Sequence, residues 1–397
     1  MKLTVEEERI LAGRQGLAKK KAIELLVKIG DLYGAERLIP ISRGHVLTSL
    51  INFHDAGIQV VEGFSKAGGK YSVPTTIDPV SMSFEGTDFE LAEDLVTKQR
   101  RIMRAHQEMD VIPTWTCTPY LYENVPRFGE HIAWAESSAV TFANSVIGAR
   151  SNREGGPSAL ASAFTGKTPE YGFHLDAERV PNVHIDVQTK IRTLPDFGAL
   201  GYAIGKAASN QIPYITGIEK ASLDQLKSLS ASIVTYGAKP LFHIKGLTPE
   251  AHEHEVPKQK ITITGAEIKQ AYDAINDPVE DIEFVCIGCP HASINEIAEI
   301  ASLLKGKKVK AETWVATSRT AKQLADSRGY SKIIEESGAK YACDTCLAVA
   351  PLKGRFKSVA TTSAKGCFYS RGSNAMKTKM GTPEECIDSA VTGKWRS

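Results

Sequence analysis

Residues 282–316 read IEFVCIGCPHASINEIAEIASLLKGKKVKAETWVA, and this stretch indicates the class of fold. Its first six residues form an apolar run that predicts a strand, residues 294–304 repeat apolar side chains at helical spacing, and residues 307–316 predict a second strand. Strands that alternate with helices form βαβ units, in which the strands are parallel and helices cover the sheet. The sequence therefore predicts an α/β protein with mainly parallel sheets.

The same pattern continues toward the carboxyl end of the chain. A helical stretch runs from about Arg319 to Ser337, and strand-like runs follow at 339–344 and 356–362. Thr382 with Glu385 three residues later is typical of a capping box, so a last helix is expected to begin there.

The amino-terminal half is less regular. Residues 4–36 predict two helices, because their apolar side chains recur at helical spacing. Residues 38–83 predict short strands joined by loops, 88–109 predict a helix, and 110–115 predict a short strand. The polar stretch 246–260 is typical of a linker or an exposed excursion between lobes.

Length and composition favour more than one lobe. The chain has 397 residues, of which 42% are hydrophobic and 24% are charged, enough for a large buried core. We expect an N-terminal α/β region over 1–205 and a C-terminal α/β region over 206–397, whose lobes are free to interleave.

Charge excludes some partners. The 48 basic and 46 acidic residues give a net charge of +2, and no strongly basic block appears, so a nucleic-acid partner is not expected. The first residues lack an apolar signal-peptide core, so we expect a cytoplasmic location. No apolar stretch reaches membrane-spanning length, so a membrane partner is not expected.

The cysteines are the first chemical signal. The chain has seven, an odd number that argues against a disulfide framework and leaves the thiols free for metal binding. Three segments place a cysteine just after a predicted strand, and ligand sites of α/β sheets form at the carboxyl ends of strands. We therefore expect Cys117, Cys289 and Cys346 to be metal ligands. Cys286 and Cys343 fall inside their strands and are expected to be buried as small hydrophobic residues.

Other interpretations of the cysteines stay open at this point. The two CxxC pairs suit a four-cysteine zinc site, although their separation is wider than that of a zinc ribbon. A non-catalytic iron–sulfur or zinc protein in electron transfer, or a redox sensor that uses the CxxC pairs, is the alternative function. Incidental burial of all seven is the simplest alternative.

Three thiolates rather than four favour catalysis. A four-iron cluster held by three thiolates keeps one iron without a protein ligand, and that iron polarises a substrate hydroxyl as a Lewis acid. A nearby base then removes the proton on the adjacent carbon, and water is eliminated. The cysteine pattern therefore suits a dehydratase better than an electron carrier.

A Gly-rich loop provides the second chemical signal. Residues 144–158 carry two arginines, two asparagines and paired glycines ahead of a predicted helix, which suits a carboxylate or phosphate. A polar loop between lobes is the structural alternative. Lys365, in the turn at 363–366, would bring a second positive charge to the same pocket, although a surface lysine is the commoner case.

These motifs together resemble a known family, the aconitase X large subunits. The resemblance covers residues 4–395 and rests on segments that read TCTPYL (116–121), WAESSAV (134–140), ANSVIGARSNREGGPSALASAFTGKTPEYGFHLDAER (143–179), GCPHASINE (288–296), CDTC (343–346), TTSAKGCFYS (361–370) and TPEECIDSAVTGKW (382–395).

The resemblance implies a fold and a reaction. It implies an aconitase-like multi-lobed α/β/α architecture and a hydro-lyase that removes water from a small hydroxylated carboxylate, such as a hydroxyproline or a phosphomevalonate-like acid. By motif, the ligands of its iron–sulfur cluster fall on Cys117, Cys289 and Cys346. A 4Fe-4S cluster is favoured, and a 2Fe-2S cluster stays an alternative.

The resemblance also implies site residues and a partner. It implies two catalytic residues, Ser363 and Lys365. The expected substrate-binding residues are Gly44, His45, Val46, Thr75, Thr76, Asn144, Ser145 and Arg153. The chain ends without a swivelling domain, so a separate small swivelling-domain subunit is expected. The segment 42–46 departs from the small-residue patterns of the family at Arg43 and Gly44, which leaves the substrate open.

Overall fold

The computed structural model describes residues 1–84 and 91–396. Its α-helices are α1 Val5–Leu11, α2 Leu17–Tyr33, α3 Leu50–Lys66, α4 Glu93–Glu108, α5 Ser137–Phe142, α6 Gly156–Thr165, α7 Leu194–Ala207, α8 Leu223–Gly237, α9 Gly265–Ile275, α10 Ile294–Leu304, α11 Arg319–Ser327, α12 Tyr330–Glu336, α13 Ala364–Gly372 and α14 Pro383–Thr392.

The strands are short except for one. They are β1 Leu38–Pro40, β2 Gly44–Val46, β3 Thr75–Ile77, β4 Ala133–Trp134, β5 Lys167–Pro169, β6 Val183–Val187, β7 Pro213–Thr216, β8 His243–Ile244, β9 Lys260–Ile263, β10 Phe284–Ala292, β11 Glu312–Thr317, β12 Lys340–Cys343, β13 Ser358–Thr361 and β14 Lys377–Met380.

Within the described residues, the strands form three parallel sheets and one antiparallel pair. The largest sheet has the order β12-β11-β10-β13-β14, a second has the order β8-β7-β6-β9, and a third has the order β3-β2-β4. Strands β1 and β5 pair antiparallel. The prediction of an α/β protein with mainly parallel sheets is therefore confirmed.

Helices α7 and α8 pack closely against each other beside the second sheet. A Cβ atom on Gly205 of α7 would lie 2.8 Å from the backbone nitrogen of Gly237 in α8, so only glycine permits this approach. The buried side chains of both helices, among them Phe197 and Leu229, join the strands of the sheet in one hydrophobic core. The predicted division of the chain after residue 205 falls within α7 and stays a prediction.

The C-terminal elements follow the sequence prediction closely. Strand β10, helix α10 and strand β11 occupy the three parts of the segment 282–316, and α14 begins one residue after Thr382, whose side chain forms the predicted capping box with Glu385. The inner strands β10 and β13 are buried along their whole length, as strands of a parallel sheet between helix layers are, whereas the edge strand β14 alternates between buried and more exposed residues.

Two predictions for the N-terminal half are wrong in part. Residues 38–83 contain not only strands but the seventeen-residue helix α3, which has a non-helical residue at His54 (φ 49°, ψ −172°) that interrupts its periodicity. Residues 110–115 form a single bridge between Ile112 and Thr76 rather than a strand. Helix α4 lies within the predicted 88–109, although residues 88–90 are outside the described part.

The stretch 246–260 is not an exposed excursion throughout. Glu250 lies in a short 3₁₀ turn, Pro249–Glu253, and is buried, with its carboxylate 2.7 Å from the guanidinium of Arg179. The burial of Glu250 could not be predicted from the local sequence, because its ion-pair partner Arg179 is 71 residues away. Among the helices of the described residues, none is both long and apolar enough to cross a bilayer.

Candidate active site

A cleft of about 490 Å³ lies where the ends of the third sheet, β3-β2-β4, and of the largest sheet meet the start of α13. Segments from both halves of the chain contribute to it. The ends of parallel strands are the usual place for a ligand site in α/β proteins. The ionisable side chains that line it are Asp78, Cys117, Glu136, Arg153, Glu154, Cys289, Cys346, Lys365 and Tyr369.

Three thiols from three distant segments meet in this cleft. Cys117 precedes the 3₁₀ turn Pro119–Leu121, Cys289 lies within β10, and Cys346 follows the end of β12. All three are free and buried, with relative exposures of 5%, 7% and 5%. The structure therefore brings together the three cysteines that the strand ends and the family motifs select.

A break in β10 brings Cys289 to the cleft. The pairing of β10 with β11 shifts register between Ile287 and Ala292, and Gly288 has φ +112°. A Cβ atom on Gly288 would lie 1.9 Å from the carbonyl oxygen of Ala316, so the strand can adopt this path only with glycine.

The remaining cysteines do not line the cleft. Cys286 and Cys343 are buried in the hydrophobic cores on either side of the largest sheet, where their strand positions predict them. Cys367 and Cys386 are buried against helices. The two CxxC pairs therefore do not place four thiols in one site.

The three thiols suit a cluster better than a single ion. Within residues 1–84 and 91–396, no three His, Cys, Asp or Glu side chains lie close enough together to hold one metal ion. In a cluster each thiolate binds a different iron, so the thiols stand further apart. Three buried free thiols that line one cleft are a donor set that fits an iron–sulfur cluster.

A buried ion pair forms another wall of the cleft. The Nζ of Lys365, in the first turn of α13, lies 2.5 Å from Oε1 of Glu136 and 3.1 Å from Oγ of Ser138. Burial alone would raise the pKa of Glu136, but the charge of Lys365 and hydrogen bonds from Lys365 and Ser138 lower it to about 2. Burial lowers the pKa of Lys365, but the negative charge of Glu136 outweighs this effect and raises the pKa of Lys365 above its ordinary value. Lys365 is therefore a cation at neutral pH.

Ser363 positions the start of α13. Its Oγ accepts a hydrogen bond of 3.0 Å from the N–H of Gly366, which caps the helix. The hydroxyl also hydrogen-bonds the thiol of Cys289 and so moderates the rise that burial causes in the pKa of that thiol. Ser363 thus links the start of α13 to the thiol of Cys289.

Asp78 is a cleft residue that the predicted residue set omitted. It follows β3, and its Oδ1 lies 3.4 Å from Nε2 of His45, whose Nδ1 lies 2.8 Å from the hydroxyl of Thr76. Burial lowers the pKa of His45 to about 4. Burial and the neighbouring Glu136 raise the pKa of Asp78, against the opposing effect of Lys365.

The residues predicted to bind substrate divide into three groups. Arg153 lines the cleft. Residues 44–46 and Thr75 with Thr76 form two paired strands, β2 and β3, that are buried and do not line the cleft. These residues pack beneath the cleft surface, where His45 contacts Asp78.

Asn144 and Ser145 also lie outside the cleft. The amide of Asn144 hydrogen-bonds the backbone of Ser151 and of Pro240, and the hydroxyl of Ser145 accepts from the N–H of Phe242 at 2.9 Å. Their side chains hold the Gly-rich loop against the second sheet, so their positions do not support substrate contact.

The Gly-rich loop ends at the cleft as the start of α6. Gly155 caps this helix, and Arg153 is exposed beside it. Arg150, by contrast, forms an ion pair with Asp176 and does not line the cleft. A cation next to unpaired helix N–H groups can hold an anion.

Glu136 and Glu154 are further cleft residues that sequence reasoning missed. Oε1 of Glu154 is buried without a hydrogen-bond partner among the described residues, and burial raises the pKa of this carboxyl to about 7. Glu136 precedes α5 and accepts from the N–H of Ser138, which is an N-cap signal. That signal could have marked Glu136 as structurally fixed, but not as the partner of Lys365.

Three family models match the chain in succession. Aconitase X first domain matches residues 1–177, Aconitase X second domain matches residues 181–273, and Aconitase X third domain matches residues 282–392.

Individual proteins are similar over nearly the whole chain. The phosphomevalonate dehydratase large subunit of Thermococcus kodakarensis is 45% identical over 375 residues, which span 94% of this chain and 95% of the relative. The cis-3-hydroxy-L-proline dehydratase of Pseudomonas aeruginosa is 31% identical over 99% of this chain and 70% of the relative. A crystal structure of Thermococcus kodakaraensis aconitase X in its holo form has a TM-score of 0.93 and 43% identity, over 98% of this chain and 100% of that chain. This likeness confirms the multi-lobed architecture that the motifs predict.

Proposed function

Because the chain belongs to the aconitase X family, we propose that it is the large subunit of an iron–sulfur dehydratase that eliminates water from a small hydroxylated acid. Relatives of this chain are named as dehydratases of phosphomevalonate and of cis-3-hydroxy-L-proline. The observation that carries the proposal is the meeting of three buried free thiols in one cleft beside the Lys365–Glu136 pair.

Cys117, Cys289 and Cys346 would hold the cluster. When bound through three thiolates, a cluster with one iron free of protein ligands supplies a Lewis acid for the substrate hydroxyl. Three thiols favour a 4Fe-4S cluster, with a 2Fe-2S cluster as the alternative. Burial raises the pKa of each of the three thiols, so their ionisation depends on the iron that they bind.

Lys365 would act as a fixed cation at the cleft wall. Its raised pKa means that it does not accept a proton at neutral pH. Its charge instead stabilises the negative charge that develops on the substrate when the carbon next to its carboxylate loses a proton. Ser363 would complete the catalytic pair, because its hydroxyl lies between α13 and Cys289.

Arg153 and the start of α6 would hold the carboxylate or phosphate of the substrate. A guanidinium offers a planar fork of donors, and the helix start adds N–H groups and a partial positive charge. Anchoring the anion fixes the substrate so that its hydroxyl and the proton to be removed keep their orientation.

A small subunit would complete the enzyme. Relatives that match at nearly full length are named large subunits. The match to the hydroxyproline dehydratase covers only 70% of that longer relative. An apolar groove adjoins the cleft and includes Phe53, Val60 and Leu160 from α3 and α6, and Val60 is exposed. Exposed apolar patches of this kind mark protein interfaces. We propose a small swivelling-domain subunit as the partner that covers it.

Turnover assays of the separate and the mixed chains test this function. The anaerobically reconstituted large subunit, mixed with the small subunit, should eliminate water from a hydroxylated acid, with phosphomevalonate and cis-3-hydroxy-L-proline as the first substrates. The large subunit alone should show little turnover. A chain that binds a cluster and cycles its redox state, but converts no hydroxylated acid with or without the partner, would support the electron-transfer alternative instead.

A further inference from the structure

His291 lies two residues beyond Cys289, at the buried end of β10. Its backbone N–H donates a hydrogen bond to Sγ of Cys117 at 3.3 Å. Its ring is fully buried and reaches two other segments, with Nδ1 3.0 Å from the hydroxyl of Thr116 and Nε2 3.0 Å from the carbonyl oxygen of Thr345.

These contacts connect the three thiol-bearing segments. Thr116 directly precedes Cys117, and Thr345 directly precedes Cys346. His291 itself belongs to the segment of Cys289. The side chain of His291 therefore contacts the residue that precedes Cys117 and the residue that precedes Cys346. Cys117 lies 174 residues before His291 in sequence, and Cys346 lies 55 residues after it.

The contacts also fix the orientation of the imidazole. The carbonyl oxygen of Thr345 can only accept, so Nε2 carries the hydrogen. In the neutral ring Nδ1 then accepts from Thr116. The hydroxyl of Thr116 is held in turn by the N–H of Thr118 at 3.2 Å. A phenyl ring fills a similar space but makes neither hydrogen bond.

A buried ion pair holds His291 from behind. Nζ of Lys227, in α8, donates a hydrogen bond of 3.0 Å to the carbonyl oxygen of His291. Lys227 is itself paired with Glu296 and lies 3.5 Å from Asp224. Its attachment to α8 gives the His291 backbone a fixed position relative to the second sheet.

We propose that His291 is a positioning residue that holds the three thiols in register before a cluster binds. The inference rests on the proposed function only in taking these three thiols as the cluster ligands. Without a tie between them, each segment would lose conformational freedom on cluster binding, and that loss would weaken binding. With His291 in place, the segments are already ordered.

The first test is alkylation of the cluster-free chain, with each cysteine followed by peptide mapping. In His291→Phe, Cys117 and Cys346 should react about tenfold faster than in the wild type, because each buried hydrogen bond lost opens its segment more often. His291→Gln, which retains a donor for Thr345, should restore slow alkylation of Cys346 more than of Cys117.

The matched control is another buried histidine. His106 is fully buried and hydrogen-bonds Tyr71 at 2.6 Å, in the core of the N-terminal helices and away from the cleft. His106→Phe should lower the thermal midpoint and leave the alkylation rates of the three thiols unchanged. Thr116→Val removes the hydroxyl that hydrogen-bonds His291 and Thr118, with little change of volume. It should speed alkylation of Cys117 alone, which keeps the test decisive if His291→Phe does not fold.

The second readout is iron and sulfide per chain after anaerobic reconstitution. The content should fall in His291→Phe and not in His106→Phe. Wild-type alkylation rates and cluster content in a folded His291→Phe would overturn the proposal, as would unchanged Cys117 alkylation in Thr116→Val. If the wild type itself binds no iron and sulfide, the proposed function fails, while the alkylation rates of the metal-free chain still decide whether His291 positions the thiols.

Discussion

The two sides of the cleft are built in different ways. The thiol side consists of Cys117, Cys289 and Cys346, which are free thiols held on buried segments. The charged side consists of the buried Lys365–Glu136 pair and the exposed Arg153 beside α6. Under the proposed function, we expect the thiol side to determine whether the cofactor binds, and the charged side to determine how well the substrate is held and converted.

The largest expected effect is on the thiol side. Cys117→Ala, Cys289→Ala and Cys346→Ala should each abolish the visible absorbance of the reconstituted chain, because each thiolate is expected to bind a separate iron. Cys286→Ala and Cys386→Ala are matched controls, since both residues are buried thiols outside the cleft, and they should retain the absorbance. Equal loss from Cys286→Ala and Cys343→Ala would point to a four-cysteine site and remove the distinction between the two sides.

The next largest effect should come from the ion pair on the charged side. Lys365→Met should destabilise the protein by about 3–5 kcal/mol, since it leaves the buried carboxylate of Glu136 without its partner. It should also abolish turnover while a cluster still binds. Denaturant unfolding measures the loss of stability, a turnover assay measures the loss of activity, and iron content shows whether the cluster still binds.

A second buried pair separates stability from catalysis. Glu250→Gln breaks the ion pair with Arg179, which lies away from the cleft, and should cost comparable stability. Turnover per folded molecule should be unchanged. Similar turnover in the folded fractions of Lys365→Met and Glu250→Gln would contradict a catalytic role for Lys365.

Sequence reasoning was most successful where neighbouring residues carry the signal. The alternation of strands and helices after residue 280 reflects local periodicity. The strand-end argument holds in its own terms only for Cys346, because Cys289 lies within β10 and the strand predicted before Cys117 is a single bridge. The helix after the Gly-rich loop was also predicted. In contrast, helix α3 was missed because the break at His54 interrupts its pattern.

Tertiary pairing was the part that the sequence could not provide. Glu136 and Lys365 are 229 residues apart, and no local pattern connects them. Asn144 and Ser145 fit a polar binding loop by composition, yet the folded chain uses them to hydrogen-bond its own backbone. Whether a polar side chain faces the ligand or the protein depends on contacts that only the fold defines.

A smaller effect is expected at the anion site. Arg153→Lys keeps the charge but loses the planar fork, so kcat/KM should fall roughly ten- to a hundredfold, which corresponds to a lost charge-assisted hydrogen bond of about 1.5–3 kcal/mol. The absorbance of the cluster should be unchanged. Arg150→Lys is the control, because Arg150 pairs with Asp176 outside the cleft and its replacement should leave kcat/KM unaltered. Unchanged kinetics in Arg153→Lys would make the loop purely architectural.

The smallest effect concerns the pH dependence of stability. Burial opposes ionisation of Glu136, but Lys365 holds its folded pKa at about 2, below the ordinary value of 4.5. The stabilisation is therefore complete above pH 4.5 and is lost as the pH falls toward 2. Glu136→Gln should flatten the acid limb of the unfolding free energy of the cluster-free chain in this range. An equally steep limb in that variant would assign the acid sensitivity to other groups.

Iron and acid-labile sulfide per chain, measured after anaerobic reconstitution, test the central claim most directly. Three thiols in one cleft predict iron and sulfide in equal amounts, about four of each per chain for the favoured cluster and about two for the alternative. The Cys117→Ala chain should contain neither. Zinc without sulfide in the wild type, or unaltered iron and sulfide in Cys117→Ala, would contradict the assignment of the thiol side.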